Sequence, residues 1–279
     1  MTADLSVSAP PSVLLFGPLD PTSAQYLTAD ALSCQLTGCH PATVATAVHI
    51  QDTMTLDHIS LLPPEQIHDQ MRCLLEDLNI RAIKAGPLYS VEEASILGQI
   101  LADYPQLPLV LHLQSIPDSA QVGREQDSDE IIQAIFDLVV PFCQLVVADQ
   151  ILLQQWQAED LLPANQHPAR ALIRLGARAV LYTTAQSPGG HSAYQLYTEQ
   201  GLYRQWPMAN PLERVQDTEG MLACICATQF AWQLELAPAC EQAVNYVDGV
   251  STHVFQAGMG HRLIHQAGIL QPITHSKQT

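Results

Sequence analysis

Residues 12–38 read SVLLFGPLDPTSAQYLTADALSCQLTG, and this stretch holds the pattern that decides the fold. It opens with an apolar run over 12–17 of the kind found in buried strands. A helical pattern follows near residues 22–37, after a loop. The stretch therefore predicts a strand, a loop and a helix in succession, which is the repeating unit of α/β proteins.

The same alternation of strand and helix continues along the chain. Apolar runs predict further strands at 42–50, 80–86, 107–113, 144–149 and 177–184. Helices are predicted at 63–79, 90–104 and 127–140, with two or three more from residue 218 onward. A β-hairpin is predicted around Gln200-Gly201. Together these elements predict an α/β fold with a mostly parallel central sheet, flanked by helices on both faces, and a small β-hairpin.

The predicted elements suggest one domain and also where its site should lie. The simplest organisation is a polar, Pro-rich leader over 1–11, one domain over 12–270 and a tail over 271–279. In open parallel sheets, ligands bind beyond the carboxyl ends of the strands. We therefore expect the functional residues in the loops that follow the predicted strands.

Charge and composition exclude several classes of partner. The 28 Asp+Glu residues outnumber the 11 Lys+Arg residues, and the formal net charge is −17. Nucleic acids and anionic membranes bind through Lys and Arg, so neither is expected as a primary partner. No apolar run is long enough for a transmembrane helix, and the N-terminus lacks the features of a signal peptide. The seven cysteines form no CxxC pair, so a cytoplasmic protein with reduced thiols is predicted.

Several short segments match the motifs of one kinase family in order and spacing. Gly17 and the spacing from Asp20-Pro21 to Asp30 match its opening loop, in which residues 22–26 replace a Ser-Gly-Gly-Ala-Gly. Residues 47–53 are similar to its Ala-Leu-Val-Ala-Gln-Asn-Thr, and residues 84–88 to its Lys-Ile-Gly-Met-Leu. The chain resembles a divergent hydroxymethylpyrimidine/phosphomethylpyrimidine kinase of thiamine biosynthesis, in the ribokinase-like superfamily.

The resemblance implies a cytoplasmic homodimer that uses ATP and Mg²⁺ on a small pyrimidine-like ligand. It implies a substrate site that includes Gly17 and Pro87, in which Asp30 receives the hydroxymethyl group. Gln51 would read the ring nitrogen and the amino edge, since an amide offers a donor and an acceptor. The alternatives are that Asp30 is a solvated helix residue and that Gln51 is an ordinary polar group at a strand end.

On the nucleotide side the family pattern is eroded. The resemblance places Asp149, Thr183 and Thr218 on this side. However, the Glu of the family's Asn-x-x-Glu is Leu152 here, and its Lys-Gly-Gly corresponds to residues 183–185, which include no cation. A Gly-Gly pair does occur at 189–190, but without a lysine.

The family's Gly-Thr-Gly-Cys turn, which holds phosphate at the start of a helix, corresponds to Asp217-Thr218-Glu219-Gly220. At about 4 Å and an effective dielectric constant of about 20, one like-charge contact costs roughly 4 kcal/mol before screening. A helix-dipole contact gains only about 0.3–1 kcal/mol. The reactive position is Gly220, which has no side chain, so no catalytic residue is assigned and Asp217, Glu219 and the Gly220 position remain candidates. The two carboxylates either cap the helix or include a replacement base.

The eleven histidines raise the question of a metal site, and none is predicted. His261 and His265 have the i, i+4 spacing of one helix face, but no Glu completes an HExxH motif. Structural or solvated roles are expected for them. His49 and His112 end predicted strands and are expected to border the pocket.

The sequence thus predicts a member of this kinase family whose ATP-dependent phosphoryl transfer is impaired or lost. Two alternatives stay open. One is a kinase that compensates for the missing groups, and the other is a non-catalytic relative that binds a pyrimidine or a regulatory partner.

Overall fold

The computed structural model describes residues 9–123, 127–184, 192–209 and 218–269. Its strands are β1 (Ser12–Leu19), β2 (His40–Gln51), β3 (Leu56–Leu61), β4 (Ile80–Ala85), β5 (Leu109–His112), β6 (Cys143–Asp149), β7 (Ala179–Thr184), β8 (Ala193–Thr198), β9 (Gly201–Pro207), β10 (Val254–Phe255) and β11 (Leu263–Ile264). Its α-helices are α1 (Tyr26–Leu36), α2 (Pro64–Asp77), α3 (Val91–Asp103), α4 (Ser119–Val122), α5 (Ser128–Leu138), α6 (Gln150–Ala158), α7 (Pro168–Arg174), α8 (Thr218–Ala231) and α9 (Leu236–Val250).

One nine-stranded sheet, in the order β3-β2-β1-β4-β5-β6-β7-β8-β9, runs through the described chain. The strands from β2 to β7 in this order are parallel to one another. β3 and β8 are antiparallel to their neighbours, and β9 completes a hairpin with β8. The structure confirms the predicted α/β class, the mostly parallel sheet and the small hairpin.

Helices cover both faces of the sheet because the parallel strands are apolar on both faces. Alternate residues of β1 show this directly. Leu14 and Phe16 belong to one core with side chains of α2, α3, α5, α6 and α7. Val13 and Leu15 belong to the other, with side chains of α1, α8 and α9. Every residue of α8 from Gly220 to Ala231 is buried, so its uniformly apolar sequence is that of a central helix.

Local capping explains why several helices begin where they do. The Ser90 hydroxyl caps α3 by accepting a hydrogen bond from the Glu93 backbone N–H at 3.1 Å. Asp149 caps α6 by accepting from the Leu152 N–H at 2.8 Å. Helix α2 begins with Pro64, the residue type that suits a first turn.

The sequence analysis was wrong about some boundaries and missed three strands. Helix α1 begins at Tyr26 rather than near residue 22, because the Asp20 carboxylate accepts from the Thr22 and Gln25 N–H groups and holds this segment as a loop. Strand β3 and the small pair β10–β11 were not predicted. Strands β10 and β11 have two residues each, too few for a periodic pattern, and β3 follows β2 after residues 52–55 and pairs antiparallel with it.

Within the four described ranges, no helix is long and apolar enough to cross a membrane. Six of the seven cysteines are buried and Cys73 is exposed, all as free thiols.

Candidate functional site

A cavity of about 310 Å³ opens at the carboxyl ends of β2 and β4 and in the loop after β5. This is the edge at which parallel sheets bind ligands. The loop between β1 and α1 forms one wall. The residues that line the cavity are Gln25, Tyr26, His49, Gln51, Asp52, Thr53, Met54, Thr55, Leu56, Tyr89, Gln114, Ser115, Pro117, Gln121 and His261.

An aromatic cluster forms the floor of this cavity. The His49 ring lies edge-on to Tyr26, with ring centroids 5.0 Å apart, and 5.7 Å from the ring of Tyr89. His49 and Tyr89 are almost fully buried, with 2% and 1% of their surfaces exposed. Burial lowers the pKa of His49 and outweighs the opposing effects of Gln51 and Asp20. A cluster of aromatic rings of this kind suits contact with a small ring-shaped ligand.

His49 connects two polar side chains at the cavity. Its Nδ1 lies 3.1 Å from Oε1 of Gln51, and its Nε2 lies 3.2 Å from the Tyr89 hydroxyl. The predicted pocket residues Gln51 and His49 therefore lie side by side in the cavity wall. Tyr26 and Tyr89 were missed, although Tyr89 directly follows the segment that resembles the family turn.

The loop between β1 and α1 keeps the backbone of a glycine-rich loop without its glycines. Ser23 and Tyr26 have φ values of 58° and 56°, in the left-handed region that favours glycine. Both residues stand where the resembled motif has glycine. The Asp20 carboxylate holds the loop, accepting from the Thr22 hydroxyl at 2.8 Å and the Gln25 N–H at 3.0 Å.

Asp30 lies beneath this edge of the sheet in a buried ion pair. Its Oδ2 is 2.6 Å from Nζ of Lys84, which also donates to the Gly86 carbonyl at 3.0 Å. Asp30 is 3% exposed and does not line the cavity described above. Burial raises the pKa of Asp30, opposed by Lys84. Its contact with a substrate stays a prediction, and the contact observed is a structural one.

Gly17 and Pro87 lie close to this ion pair, at a point where two strands meet. The Gly86-Pro87 peptide bond is cis. A Cβ on Gly17 would stand 3.1 Å from the Gly86 carbonyl oxygen, so the close approach of β1 to this turn requires a glycine. His112, expected to border the pocket, is 2% exposed and does not line the cavity. Burial, with a smaller effect of Lys84, holds the pKa of His112 well below its usual range.

The residues predicted on the nucleotide side form a second cluster at the start of α8. The Glu219 carboxylate accepts from the Thr183 hydroxyl at 2.8 Å and from the Thr218 hydroxyl at 3.0 Å. Burial raises the pKa of Glu219, and the negative charge of Asp149 adds to this effect. The cluster thus brings together Asp149, Thr183, Thr218 and Glu219. Gly220 is buried behind it, whereas Asp217 and the Gly-Gly pair at 189–190 lie outside the described residues.

The C-terminal segment supplies one more wall of the cavity. The His261 N–H donates to the Thr53 carbonyl at 2.8 Å, and the Gly260 N–H donates to the Thr53 hydroxyl at 3.1 Å. These bonds place His261 at the cavity. The expectation that His261 and His265 share a helix face is wrong, because both lie outside helices, on either side of β11. Across the described ranges, no three His, Cys, Asp or Glu side chains cluster as metal ligands would.

The fold defines the class of protein. A Bacillus subtilis pyridoxal kinase, solved as an ADP complex, superposes with a TM-score of 0.81 at 13% identity, covering 94% of this chain and 99% of that one. A Clostridium difficile phosphomethylpyrimidine kinase superposes with a TM-score of 0.67 at 16% identity, covering 86% and 98%. The protein therefore has the ribokinase-like fold of these small-molecule kinases.

The sequence assigns the chain to one family within this fold. The sequence model described as phosphomethylpyrimidine kinase matches residues 20–265, and the chain belongs to the phosphomethylpyrimidine kinase family, a family of thiamine metabolism. The chloroplastic thiamine biosynthetic bifunctional enzyme TH1 of Arabidopsis thaliana is 26% identical over 89% of this chain and 48% of its own length. The hydroxymethylpyrimidine/phosphomethylpyrimidine kinase of Streptomyces coelicolor is 25% identical over 93% of this chain and 96% of its own length. The chain spans about half the length of the bifunctional relatives it matches.

Family members are kinases, and related structures hold ADP or an ATP analogue, so the fit of a triphosphate to this chain needs testing. Two carboxylates, those of Glu219 and Asp149, lie close together at the start of α8. Glu219 already accepts the hydroxyl groups of Thr183 and Thr218, and Asp149 adds a second negative charge. Within the described ranges, no Lys or Arg forms an ion pair with either carboxylate.

Proposed function

We propose that this protein binds a small pyrimidine-like ligand of thiamine metabolism in the cavity beside Gln51, and that its ATP-dependent phosphoryl transfer is impaired or lost. The observation that carries the proposal is the position of the Glu219 carboxylate. It lies at the N-terminus of α8 and is bonded to Thr183 and Thr218.

The position of Glu219 opposes phosphate binding in two ways. First, the carboxylate takes two hydroxyl donors that an incoming phosphate would otherwise find at this helix terminus. Second, its charge repels the phosphate. That repulsion is roughly 4 kcal/mol at about 4 Å for an effective dielectric constant of about 20, against a gain of about 0.3–1 kcal/mol from the helix dipole.

The ligand side supports binding of a ring. Tyr26, His49 and Tyr89 provide buried aromatic rings beside the cavity, and Gln51 adds a polar amide at its wall. A volume of about 310 Å³ is at the lower end of the range for small-molecule sites, which suits a single substituted ring.

One observation favours a second candidate, a kinase that compensates for its missing groups. Glu219 is a carboxylate with a raised pKa at the end of the site where a phosphoryl acceptor would react, and a general base has these properties. In this alternative Glu219 removes the proton of the ligand hydroxyl instead of excluding phosphate.

The two candidates are separated by one set of assays on the full chain. Two assays measure ATP-dependent phosphorylation, one of hydroxymethylpyrimidine and one of its monophosphate. Two calorimetric titrations measure binding of the pyrimidine and of ATP–Mg²⁺. We expect pyrimidine binding without measurable turnover. The Glu219→Gln variant should bind ATP–Mg²⁺ more tightly, by about tenfold or more, since one repulsive charge is removed.

Glu65→Gln is the matched control, because Glu65 is an exposed acid in the first turn of α2. It should leave all four measurements unchanged. If the wild type phosphorylates its substrate robustly and Glu219→Gln does not, phosphoryl transfer is not lost and Glu219 acts as the general base. Failure of pyrimidine to bind would overturn the ligand assignment.

A further inference from the structure

The side chain of Gln51 is held in one orientation by a neighbour in the same cavity wall. Gln51 Oε1 lies 3.1 Å from Nδ1 of His49, whose Nε2 lies 3.2 Å from the Tyr89 hydroxyl. Within the described residues, this is the hydrogen bond that the Gln51 side chain makes. The amide nitrogen of Gln51 is therefore the group that remains for a ligand in the cavity that Gln51 lines.

The chemistry of the three groups sets the direction of each bond. An amide oxygen only accepts, so Nδ1 of His49 carries the proton and donates to Gln51. A neutral imidazole with a protonated Nδ1 has an acceptor at Nε2, and the Tyr89 hydroxyl is the donor to it. The direction of the chain is Tyr89 O–H to His49 Nε2, then His49 Nδ1–H to Gln51 Oε1.

The surroundings of His49 keep this arrangement in place. His49 and Tyr89 are almost fully buried, and Tyr26 packs edge-on against the imidazole. Rotation of the imidazole ring would break both hydrogen bonds in a buried site. Buried polar groups are seldom left unpaired, because the loss of a partner costs free energy. Gln51, which is only partly buried, therefore depends on His49 for its orientation.

We infer that His49 is a positioning residue that makes Gln51 a hydrogen-bond donor toward the ligand, so that the cavity selects flat rings with an acceptor nitrogen in the ring plane. The inference rests on the proposed function, because it names the ligand chemistry of the same cavity. The sequence-based expectation was that the Gln51 amide offers the ligand both a donor and an acceptor. The inference leaves only the donor for the ligand.

The tautomer of His49 tests the inference without any ligand. A long-range ¹⁵N–¹H spectrum of the labelled full chain distinguishes the protonated ring nitrogen from the unprotonated one, and His49→Val assigns the signals. Valine suits the interior of a strand, so β2 should be retained. We expect Nδ1 to carry the proton at neutral pH. A proton on Nε2 would overturn the inference, even if the pyrimidine binds.

The ligand preference is then measured with a matched pair of probes. One is hydroxymethylpyrimidine, and the other is the carbocyclic analogue in which C–H groups replace the ring nitrogens. The wild type should bind the pyrimidine about tenfold more tightly, the effect of one satisfied hydrogen bond. His49→Val and Gln51→Glu should each reduce this ratio to about one, because the first frees the amide to rotate and the second removes the donor.

Gln99→Ala is the control, since Gln99 is exposed on α3 and does not line the cavity. It should keep the wild-type ratio. Equal binding of both probes by the wild type would overturn the inference and leave the ligand site in place. If neither probe binds while Nδ1 carries the proton, the proposed function fails and the positioning of Gln51 by His49 stands.

Discussion

At the scale of single residues, two ionisable groups, one buried and one half-buried, have opposite surroundings. Asp30 has a cation 2.6 Å away in Lys84, whereas Glu219 has hydroxyl donors and a second acid nearby. The first pair connects α1 to β4 across the interior of the protein. The second group carries a charge at the edge of the sheet where a ligand would approach.

Lys84→Met is expected to destabilise the protein by about 3–5 kcal/mol, because it leaves the buried Asp30 carboxylate without its counter-charge. The double variant Asp30→Asn with Lys84→Met should be clearly less destabilised, since no uncompensated charge remains. Urea unfolding of both variants measures the difference. A loss of less than about 1 kcal/mol in Lys84→Met would show that the ion pair does not hold α1 on the sheet.

Glu219→Gln should change how stability depends on pH. The pKa of Glu219 is raised in the folded protein, so the native state binds this proton more tightly than the unfolded chain does. Wild-type stability therefore falls as pH rises from the ordinary Glu pKa through the raised one. The variant should lack this fall, and its melting temperature should exceed that of the wild type more at pH 7.5 than at pH 4. A constant difference across this pH range would contradict the prediction.

At the scale of elements, the loop between β1 and α1 has a backbone that its residues do not favour. Ser23 and Tyr26 have positive φ, and the Asp20 carboxylate and the following helix hold them there. The Tyr26 ring compensates by packing on His49 at the cavity. Ser23 has no ring, so no packing of this kind offsets its strain.

Ser23→Gly is expected to stabilise the protein by about 0.5–1 kcal/mol, because the relief of left-handed strain exceeds the entropy that glycine adds to the unfolded chain. Ala24→Gly is the matched control in the same loop. Ala24 is outside the set of positive-φ residues, so this change should destabilise by about 0.4–1 kcal/mol. Thermal unfolding of both variants distinguishes the two effects, and equal shifts would refute the account of strain.

At the scale of the whole molecule, the cavity depends on segments that are distant in sequence. It is lined by residues from the β1–α1 loop, the end of β2, the segments after β4 and β5, and the C-terminal segment. The turn between β2 and β3 holds the C-terminal segment through two hydrogen bonds at Thr53. This contact completes the wall at which His261 lies.

Gly260→Ala should disrupt this contact, because a Cβ there would overlap the Thr53 carbonyl oxygen. We expect faster hydrogen exchange at residues 51–56 and about tenfold weaker binding of hydroxymethylpyrimidine. Gly249→Ala is the control, since a Cβ on this residue of α9 meets no atom within 4 Å. Unchanged exchange in Gly260→Ala would show that the segment does not depend on a glycine there.

The locations of many residues of the candidate site were predictable from the sequence, but few of the contacts between them were. Gln51 and His49 stand at the end of a predicted strand and line a cavity in the structure, because side chains at the carboxyl ends of parallel strands meet there. The bond between Thr183 and Glu219 was not predicted, since no local pattern relates residues that far apart. The spacing of His261 and His265 is that of one helix face, but both lie outside helices, and the His261 N–H donates to the Thr53 carbonyl instead.

The sequence by itself determined the alternation of parallel strands with helices and the apolar character of both faces of the sheet. These features follow from side-chain periodicity and local capping, which act over a few residues. Only the tertiary structure decided that Asp30 pairs with Lys84, that His49 orients Gln51 and that Glu219 lies against Thr183. Each depends on a short distance between atoms, and that distance is set by the packing of the whole sheet and its helices.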